Sequence, residues 1–280
     1  MPSTPSRSVI VVTGASAGIG RAAAVALAPD AEIVLVGRDR GRLDDALAEV
    51  RAAGGHDAAA YRSDFAALSD VRDLAAVLHH TYERIDVLAN NAGLISGKGI
   101  ETVDGYELTL QVNHLAGFLL ANLLRDRLTG GRIITTSSAV HAGGRIDPAH
   151  FTLAPKYRKW RSYAESKQAN ILFTREAARR WGPEVLTAAF HPGAVRSRFG
   201  EETGLFRLAK RMPGFISPEA GARTLVWLAT AAPGDFTSGG YYVRGKRHSP
   251  SSAASDDKVA HALWDASARA TGIPLQDNSR

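Results

Sequence analysis

The sequence predicts an α/β fold: a doubly wound parallel sheet of about seven strands with helices on both faces, in a single domain. Short runs of β-branched residues alternate with longer helical stretches, and a glycine-rich turn joins the first run to a helix. Strands separated by helices pair in parallel through right-handed crossovers, so this alternation predicts the sheet. The chain has 280 residues, 45% of them hydrophobic, and no shift in composition marks a linker.

The strands are predicted at 8–13, 32–37, 58–63, 85–90, 132–137, 184–190 and 240–243. Between them, a Gly-Pro pair ends one helix at Trp181 and a Ser-Pro pair begins another after Ser217. The segment 107–128 is long and apolar enough to be one helix on the sheet. Two long connections, 143–161 and 194–216, fit this scheme poorly, and their length argues for function or mobility.

Composition excludes several classes of protein. The absence of cysteine rules out disulfides, thiolate catalysis and Cys-ligated metals. The formal charge of +6 is scattered, and its densest clusters, 156–161 (KYRKWR) and 244–247 (RGKR), lack an aromatic ladder beside them. We therefore expect a solvated basic surface and no nucleic-acid partner.

The amino terminus predicts a cytoplasmic protein. Residues 1–7 are polar and rich in Pro and Ser, which predicts a flexible tail and no secretory signal. No stretch reaches the roughly 18 apolar residues of a membrane span, so we expect no membrane insertion.

The glycine motif that follows the first strand predicts a dinucleotide-binding site. In VIVVTGASAGIG, Gly14, Gly18 and Gly20 lie between a β-branched run and a helix-forming run. Such a turn lets the unpaired N–H groups and positive dipole end of the helix face a pyrophosphate, as in a Rossmann-like fold. The spacing is GxxxGxG, and ordinary loop glycines are the alternative.

Tyr163 and Lys167 form a second motif. Four residues apart on a helix, they lie on one face. A tyrosine has a reference pKa of about 10, and each unit of lowering requires about 1.4 kcal/mol. A lysine ammonium about 4 Å away supplies up to roughly 4 kcal/mol, so we expect Lys167 to lower the pKa of Tyr163. Tyr157 and Arg161 imitate the spacing on a poorer helix.

Taken together, six segments resemble the short-chain dehydrogenase/reductase family. They are TGASAGIG at 13–20, NNAG at 90–93, QVNHLAG around Asn113, TTSSA around Ser138, YAESK at 163–167 and HPGAV at 191–195. Ser138 and Tyr163 are 25 residues apart, farther than in compact members. This longer segment resembles the retinol-dehydrogenase-like branch, and the lack of an amino-terminal apolar anchor suggests a soluble relative.

The resemblance implies four catalytic residues. Tyr163 would be the general acid that protonates a carbonyl, and Ser138 would orient that carbonyl. Lys167 would hold the nicotinamide ribose, and Asn113 would anchor a water that relays protons. Ser137 is an alternative to Ser138, and Asn113 can also be a buried structural amide.

The resemblance also implies a set of cofactor-binding residues. They are Gly14, Ser16, Gly18, Ile19, Gly20, Arg38, Asp64, Asn91, Ala92, Gly93, Tyr163, Lys167, Pro192, Gly193 and Val195. Asp64 would contact adenine, or as an alternative it could cap a loop. The histidines His114, His141 and His191 have no partner at ligand spacing, so we expect no metal.

Cofactor choice depends on the end of the second strand. Gly37 stands where an acid would bind the ribose 2′-hydroxyl of NAD, and Arg38 follows it. A guanidinium can pair with the 2′-phosphate of NADP, so the sequence favours NADP over NAD. Asp39 is the alternative, because a shift of one residue would bring it to the ribose.

The sequence thus predicts an NADP-dependent carbonyl reductase or alcohol dehydrogenase acting on a hydrophobic ketone, aldehyde or secondary alcohol. Apolar residues in 194–216 could form a lid over the substrate, or they could be part of a helix docked on the core; they are Phe199, Leu205, Phe206, Leu208, Met212 and Phe215. The alternative function is a nucleotide-binding sensor without turnover. A homo-oligomer is possible, because the helices carrying Asn113 and Tyr163 form the interface in many family members.

Overall fold

One twisted sheet organises the molecule. A computed structural model of the chain describes residues 7–195 and 215–275. The strands are β1 (Ser8–Thr13), β2 (Ala31–Gly37), β3 (Ala59–Arg62), β4 (Val87–Asn90), β5 (Arg132–Thr136), β6 (Leu186–His191), β7 (Gly240–Val243) and β8 (Lys246–His248). Their order is β3-β2-β1-β4-β5-β6-β7-β8, and β1 to β7 are all parallel. This confirms the doubly wound fold and the predicted strands, with ends shifted by one or two residues.

The strand β8 was not predicted, and it makes the sheet mixed. It pairs antiparallel with β7 through a tight turn at Arg244 and Gly245, whose φ values of 51° and 73° are both positive. Its three residues are all exposed. A short polar strand has no buried face, so no hydrophobic alternation signals it.

Helices cover both faces of the sheet. They are α1 (Gly18–Leu27), α2 (Arg40–Ala52), α3 (Leu68–Thr81), α4 (Leu108–Leu110), α5 (Ala116–Leu123), α6 (Lys159–Trp181), α7 (Pro218–Thr230) and α8 (Asp257–Thr271). Side chains of α1, α2 and α7 pack in one core cluster, and those of α3, α5, α6 and α8 pack in another. In β1, Ile10 and Val12 face the first cluster and Val11 faces the second, as the two-residue period of a strand requires.

The sequence predicted one helix over 107–128, but the structure does not form one regular helix there. After α4 the backbone forms a π-helical turn at Gln111–Leu115 and continues as α5, and a separate 3₁₀ turn follows at Asp126–Leu128. The π turn carries Asn113, a residue that competes with regular helical hydrogen bonding. Such turns occur frequently at functional sites.

The long connection 143–161 is packed rather than open. Gln168 on α6 accepts from the backbone N–H of Ile146 at 2.9 Å, and Phe151 is buried. The predicted lid mostly lies outside the described residues, which include only its ends up to Val195 and from Phe215.

Residues 1–6 of the predicted tail also lie outside the described residues. Arg7, its last residue, is held in place, because its guanidinium donates to the carbonyls of Ala28 and Pro29 at 2.7 and 2.9 Å. Within 7–195 and 215–275, no helix has the length and apolar character that crossing a membrane requires.

Candidate active site

A cavity of about 680 Å³ opens at the carboxyl edge of the sheet. It lies over the point between β1 and β4 where the strand order reverses, which is where open α/β sheets bind ligands. Because β2, β1, β4, β5 and β6 are neighbours in that order, residues that follow β2 line one end of the cavity. Residues that follow β5 and β6 line the other end.

The glycine turn between β1 and α1 has the geometry of an anion site. Gly14 and Gly18 have φ values of 67° and 59°, a conformation that favours glycine. A Cβ on Gly20 would lie 2.5 Å from the Gly14 carbonyl oxygen, so only glycine allows this close approach. The residue before α1 is Ala17, which supplies no side-chain cap, and the first N–H groups of the helix therefore remain available to a phosphate.

A hydrogen-bonded turn after β4 forms the floor of the cavity. The Thr13 hydroxyl accepts from the backbone N–H groups of Asn91 and Ala92, both at 2.9 Å. The Asn91 side chain donates to the Thr13 carbonyl at 2.9 Å and accepts from the Thr136 hydroxyl at 3.2 Å. These bonds join β1, β4 and β5, and they give the predicted residues Asn91 and Ala92 a structural role beside the cavity.

At the β2 end, two guanidinium groups line the cavity. Arg38 was predicted there, whereas Arg42 on the first turn of α2 was missed, although it stands in the same RDRGR run. Asp39 does not line the cavity; its carboxylate caps α2 by accepting from the Arg42 N–H at 3.0 Å. In this structure the Asp39 carboxylate is thus engaged in the helix cap and does not face the cavity. Asp64 lines the cavity and also caps its own loop, accepting from the Ala66 N–H at 3.1 Å.

The β5 end contains a buried lysine. Lys167 is 2% exposed, and its ammonium donates to the Thr136 carbonyl at 3.1 Å. Burial lowers the pKa of Lys167 to about 8, because it removes water from the charged form. A buried cation that lines a cavity is suited to binding hydroxyl or phosphate groups of a ligand.

Asn113 lies behind the cavity wall rather than in it. Its amide group pairs with the backbone of Leu94, accepting at 2.7 Å and donating at 2.9 Å, and it also donates to the Ser166 hydroxyl at 2.9 Å. A Cβ on Gly93 would lie 3.2 Å from Asn113 Oδ1 and 3.4 Å from Lys167 Nζ. The side chain of Asn113 thus links the π turn to the loop after β4 and to α6, which agrees with the structural alternative.

The two serines at the end of β5 face different ways. Ser137 is buried, and its hydroxyl donates to the Lys167 carbonyl at 2.7 Å. The Ser138 hydroxyl accepts from the Val140 N–H at 3.4 Å and is hydrogen-bonded to the Tyr163 phenol. The geometry therefore selects Ser138 as the partner of Tyr163, as the sequence favoured.

The pKa of Tyr163 moves opposite to the prediction. Burial raises it well above the ordinary value, and the hydrogen bond with Ser138 offsets only part of this shift. The Lys167 ammonium lies over the phenol ring, 5.6 Å from its centroid. The hydroxyl of Tyr163 is therefore protonated across the neutral pH range. Tyr157, the alternative tyrosine, lies outside α6, and its hydroxyl donates to the Ser96 carbonyl at 3.1 Å.

Burial favours the neutral form of the three histidines that the sequence analysis considered. His114 is buried against Ser267 at 2.9 Å, and burial lowers its pKa to about 4. His141 lies between the Ser138 carbonyl at 2.7 Å and the Ser251 N–H at 3.1 Å, which requires that its Nδ1 donate and its Nε2 accept. Burial also lowers the pKa values of His141 and His191. In the described part of the chain no cluster of His, Asp and Glu could hold a metal ion.

Most predicted site residues line this one cavity. They are Gly14, Ser16, Gly18, Ile19, Arg38, Asp64, Asn91, Ala92, Gly93, Ser138, Tyr163, Lys167, Pro192, Gly193 and Val195. Gly20 and Asn113 support it from behind. The sequence reasoning missed further lining residues that carry no motif: Arg42, Leu94, Ile95, Val112, Val140, Lys159 and Trp160.

The fold and the cavity define a nucleotide-dependent oxidoreductase, with a phosphate turn at one end and a Ser-Tyr-Lys group at the other. The family described as "short chain dehydrogenase" matches residues 8–206. The chain therefore belongs to the short-chain dehydrogenase/reductase family, whose members act on CH–OH and C=O groups with NAD(P).

Relatives and solved structures agree with this assignment. The chain is 49% identical over 270 residues, 96% of this chain and 93% of the other, to a Streptomyces sp. (strain C5) protein described as "Putative daunorubicin C-13 ketoreductase DnrU". It is 38% identical to human retinol dehydrogenase 13, with 94% and 84% of the two chains covered.

Among solved structures, an uncharacterized protein from Mycobacterium paratuberculosis matches with a TM-score of 0.79 and 31% identity over 96% of both chains. An alcohol dehydrogenase from Thermococcus sibiricus, complexed with 5-hydroxy-NADP, matches with a TM-score of 0.67 and 25% identity over 86% and 96% of the two chains.

Proposed function

We propose that the protein is an NADP-dependent carbonyl reductase that acts on a hydrophobic ketone or aldehyde, with the corresponding alcohol as substrate of the reverse reaction. The observation that carries this proposal is the Tyr163 phenol, which is hydrogen-bonded to Ser138 and lines the same cavity as Lys167. Reduction of a carbonyl needs a proton donor at its oxygen, and a phenol that is hydrogen-bonded to a neighbouring serine is positioned to be that donor.

Each residue at this end has a defined task. Tyr163 donates its proton to the carbonyl oxygen, and Ser138 orients that oxygen by a hydrogen bond. Lys167 binds ribose hydroxyls with its ammonium, while Asn113 fixes the loop after β4 so that Gly93 stays beside Lys167. A bound nicotinamide cofactor supplies the hydride.

Preference for NADP rests on the β2 end. Arg38 and Arg42 both line the cavity, and Asp39 is turned away into the cap of α2. Two guanidinium groups favour a 2′-phosphate, which a neighbouring carboxylate would repel. The Thermococcus alcohol dehydrogenase, which was complexed with a derivative of NADP, is a solved structure of similar fold.

The Streptomyces relative supports carbonyl reduction as the direction of the reaction, because its name describes a ketoreductase. The retinol dehydrogenase relatives support an apolar substrate, and the described apolar lining of Leu94, Ile95, Val112 and Phe215 agrees with one.

The test is oxidation of NADPH, followed at 340 nm, with a panel of hydrophobic ketones, aldehydes and quinones, and with NADH in parallel. We expect turnover with NADPH that is lost in Tyr163→Phe. Binding of NADPH without turnover of any carbonyl would contradict the proposal and favour a nucleotide-binding sensor.

A further inference from the structure

Trp160 is exposed at the mouth of the active-site cavity. It is 51% exposed and lines the cavity, whereas every other Phe, Tyr and Trp of the described residues is buried or half-buried. A large aromatic side chain is stabilised when it is covered, and ligand cavities use such side chains as contact surfaces. Trp160 therefore presents an aromatic surface to the cavity on which a ligand can stack.

The position of Trp160 couples it to the proton donor. It lies on the first turn of α6, three residues before Tyr163, so both side chains are on the same helix face. Their ring centroids are 6.3 Å apart, with an interplanar angle of 72°. This edge-to-face contact places the indole next to the phenol, so a flat molecule that stacks on Trp160 lies near Tyr163.

A cation accompanies this aromatic surface. Lys159 also lines the cavity, and its ammonium lies 5.4 Å from the centroid of the Trp160 ring. The single carboxylate among the described lining residues is Asp64, which follows β3 at the far end of the sheet. Among the described lining residues no carboxylate therefore lies at this end of the cavity, and Lys159 is suited to pair with an anionic substituent of a ligand.

We infer that Trp160 and Lys159 form a stacking site for planar aromatic ketones that carry an acidic substituent, and that this site determines substrate class. The inference deepens the proposed function and rests on it for the chemical step alone. The plane of the substrate stacks on the indole, its acidic substituent pairs with Lys159, and its carbonyl reaches Tyr163 and Ser138.

Two ketones of the same carbon skeleton test the stacking. They are 2-acetylnaphthalene, which is planar, and 2-acetyldecalin, which is saturated. Their dissociation constants are measured by calorimetry with NADPH-loaded Tyr163→Phe protein, with and without Trp160→Leu, so that no turnover interferes. We expect Trp160→Leu to weaken the aromatic ketone about tenfold more than the saturated one. Trp160→Phe should restore most of the preference.

Val140→Ala is the matched control, because Val140 is an apolar lining residue that is 37% exposed and has no aromatic face. It should change the ratio of the two constants by less than about twofold. The acidic substituent is tested with 6-acetyl-2-naphthoate. Lys159→Met should raise its dissociation constant about tenfold more than that of 2-acetylnaphthalene.

An unchanged ratio in Trp160→Leu, or no binding of the aromatic ketones, overturns the inference even if carbonyls are reduced. If wild-type protein reduces no carbonyl of the panel but shows the expected binding ratios, the proposed function fails and the stacking site stands.

Discussion

The two ends of the cavity are built in different ways. At the β2 end, the ligand surface consists of backbone N–H groups, glycines and the exposed guanidinium groups of Arg38 and Arg42. At the β5 end, Lys167, Asn113 and Ser166 are buried. Asn113 donates to the Ser166 hydroxyl, and Lys167 donates to the Thr136 carbonyl. Substitutions of surface residues at the β2 end can therefore change which ligand it prefers. The β5 end is a preorganised polar network, so a substitution of one member affects the others.

The largest effect is expected from Tyr163→Phe at the buried end. Removing the proton donor should lower kcat by a factor of about 10² to 10⁴, which is the usual contribution of general acid catalysis. NADPH affinity, measured by fluorescence titration, should change less than about twofold, because the ring is retained. Tyr157→Phe is the matched control, since its hydroxyl bonds to the Ser96 carbonyl instead, and it should keep most of the activity.

Lys167→Met should make the protein more stable and less active. The pKa of Lys167 is lowered from 10.5 to about 8, so the charged form is disfavoured in the folded state. At pH 7 Lys167 is protonated in both the folded and the unfolded state. The burial of its charge therefore lowers the free energy of unfolding by about 3 kcal/mol. After loss of the bond to the Thr136 carbonyl, we expect a net gain in the free energy of unfolding of about 2 kcal/mol.

The pH dependence of this gain provides its check. Between pH 8 and 10.5 the folded state releases the proton of Lys167 before the unfolded state does, so wild-type stability from this group rises with pH. The advantage of Lys167→Met in urea unfolding should therefore shrink over this window. An advantage that is equal at pH 7 and pH 10.5 would show that the burial of charge is not its cause.

At the exposed end, Arg38→Leu should weaken NADPH binding by a factor of about 10 to 100 and leave NADH binding nearly unchanged. Arg40→Leu is the control, because Arg40 is exposed, lies outside the cavity and pairs with Asp44. Equal losses for both nucleotides in matched titrations would mean that Arg38 does not recognise the 2′-phosphate.

Asp39→Ala should have the smallest effect on ligands. Loss of the α2 cap should reduce the free energy of unfolding by about 1 kcal/mol. The ratio of NADPH to NADH affinity should change less than about threefold, because the carboxylate does not line the cavity. A large rise in the relative affinity for NADPH would indicate that Asp39 faces the ribose after all.

Several features were beyond the reach of sequence reasoning, each for a local physical reason. The strand β8 lacks a buried face, and Arg42 belongs to no motif. The π turn at Gln111–Leu115 leaves the apolar pattern of a helix intact while changing its backbone. The pKa of Tyr163 was predicted from spacing along α6, yet its direction is set by how completely the surrounding elements remove water.

Ser138 was implied by the resemblance to the family. The sequence by itself determined the fold, the phosphate turn and the placing of Tyr163 and Lys167 on one helix face. These depend on local rules: the period of strands, the freedom of glycine and the spacing on one helix. Only the tertiary structure decided that Ser138 and not Ser137 faces Tyr163, that Asp39 caps α2, and that Lys167 lies over the phenol ring. Side-chain direction and burial arise from contacts between distant elements, and no local pattern specifies them.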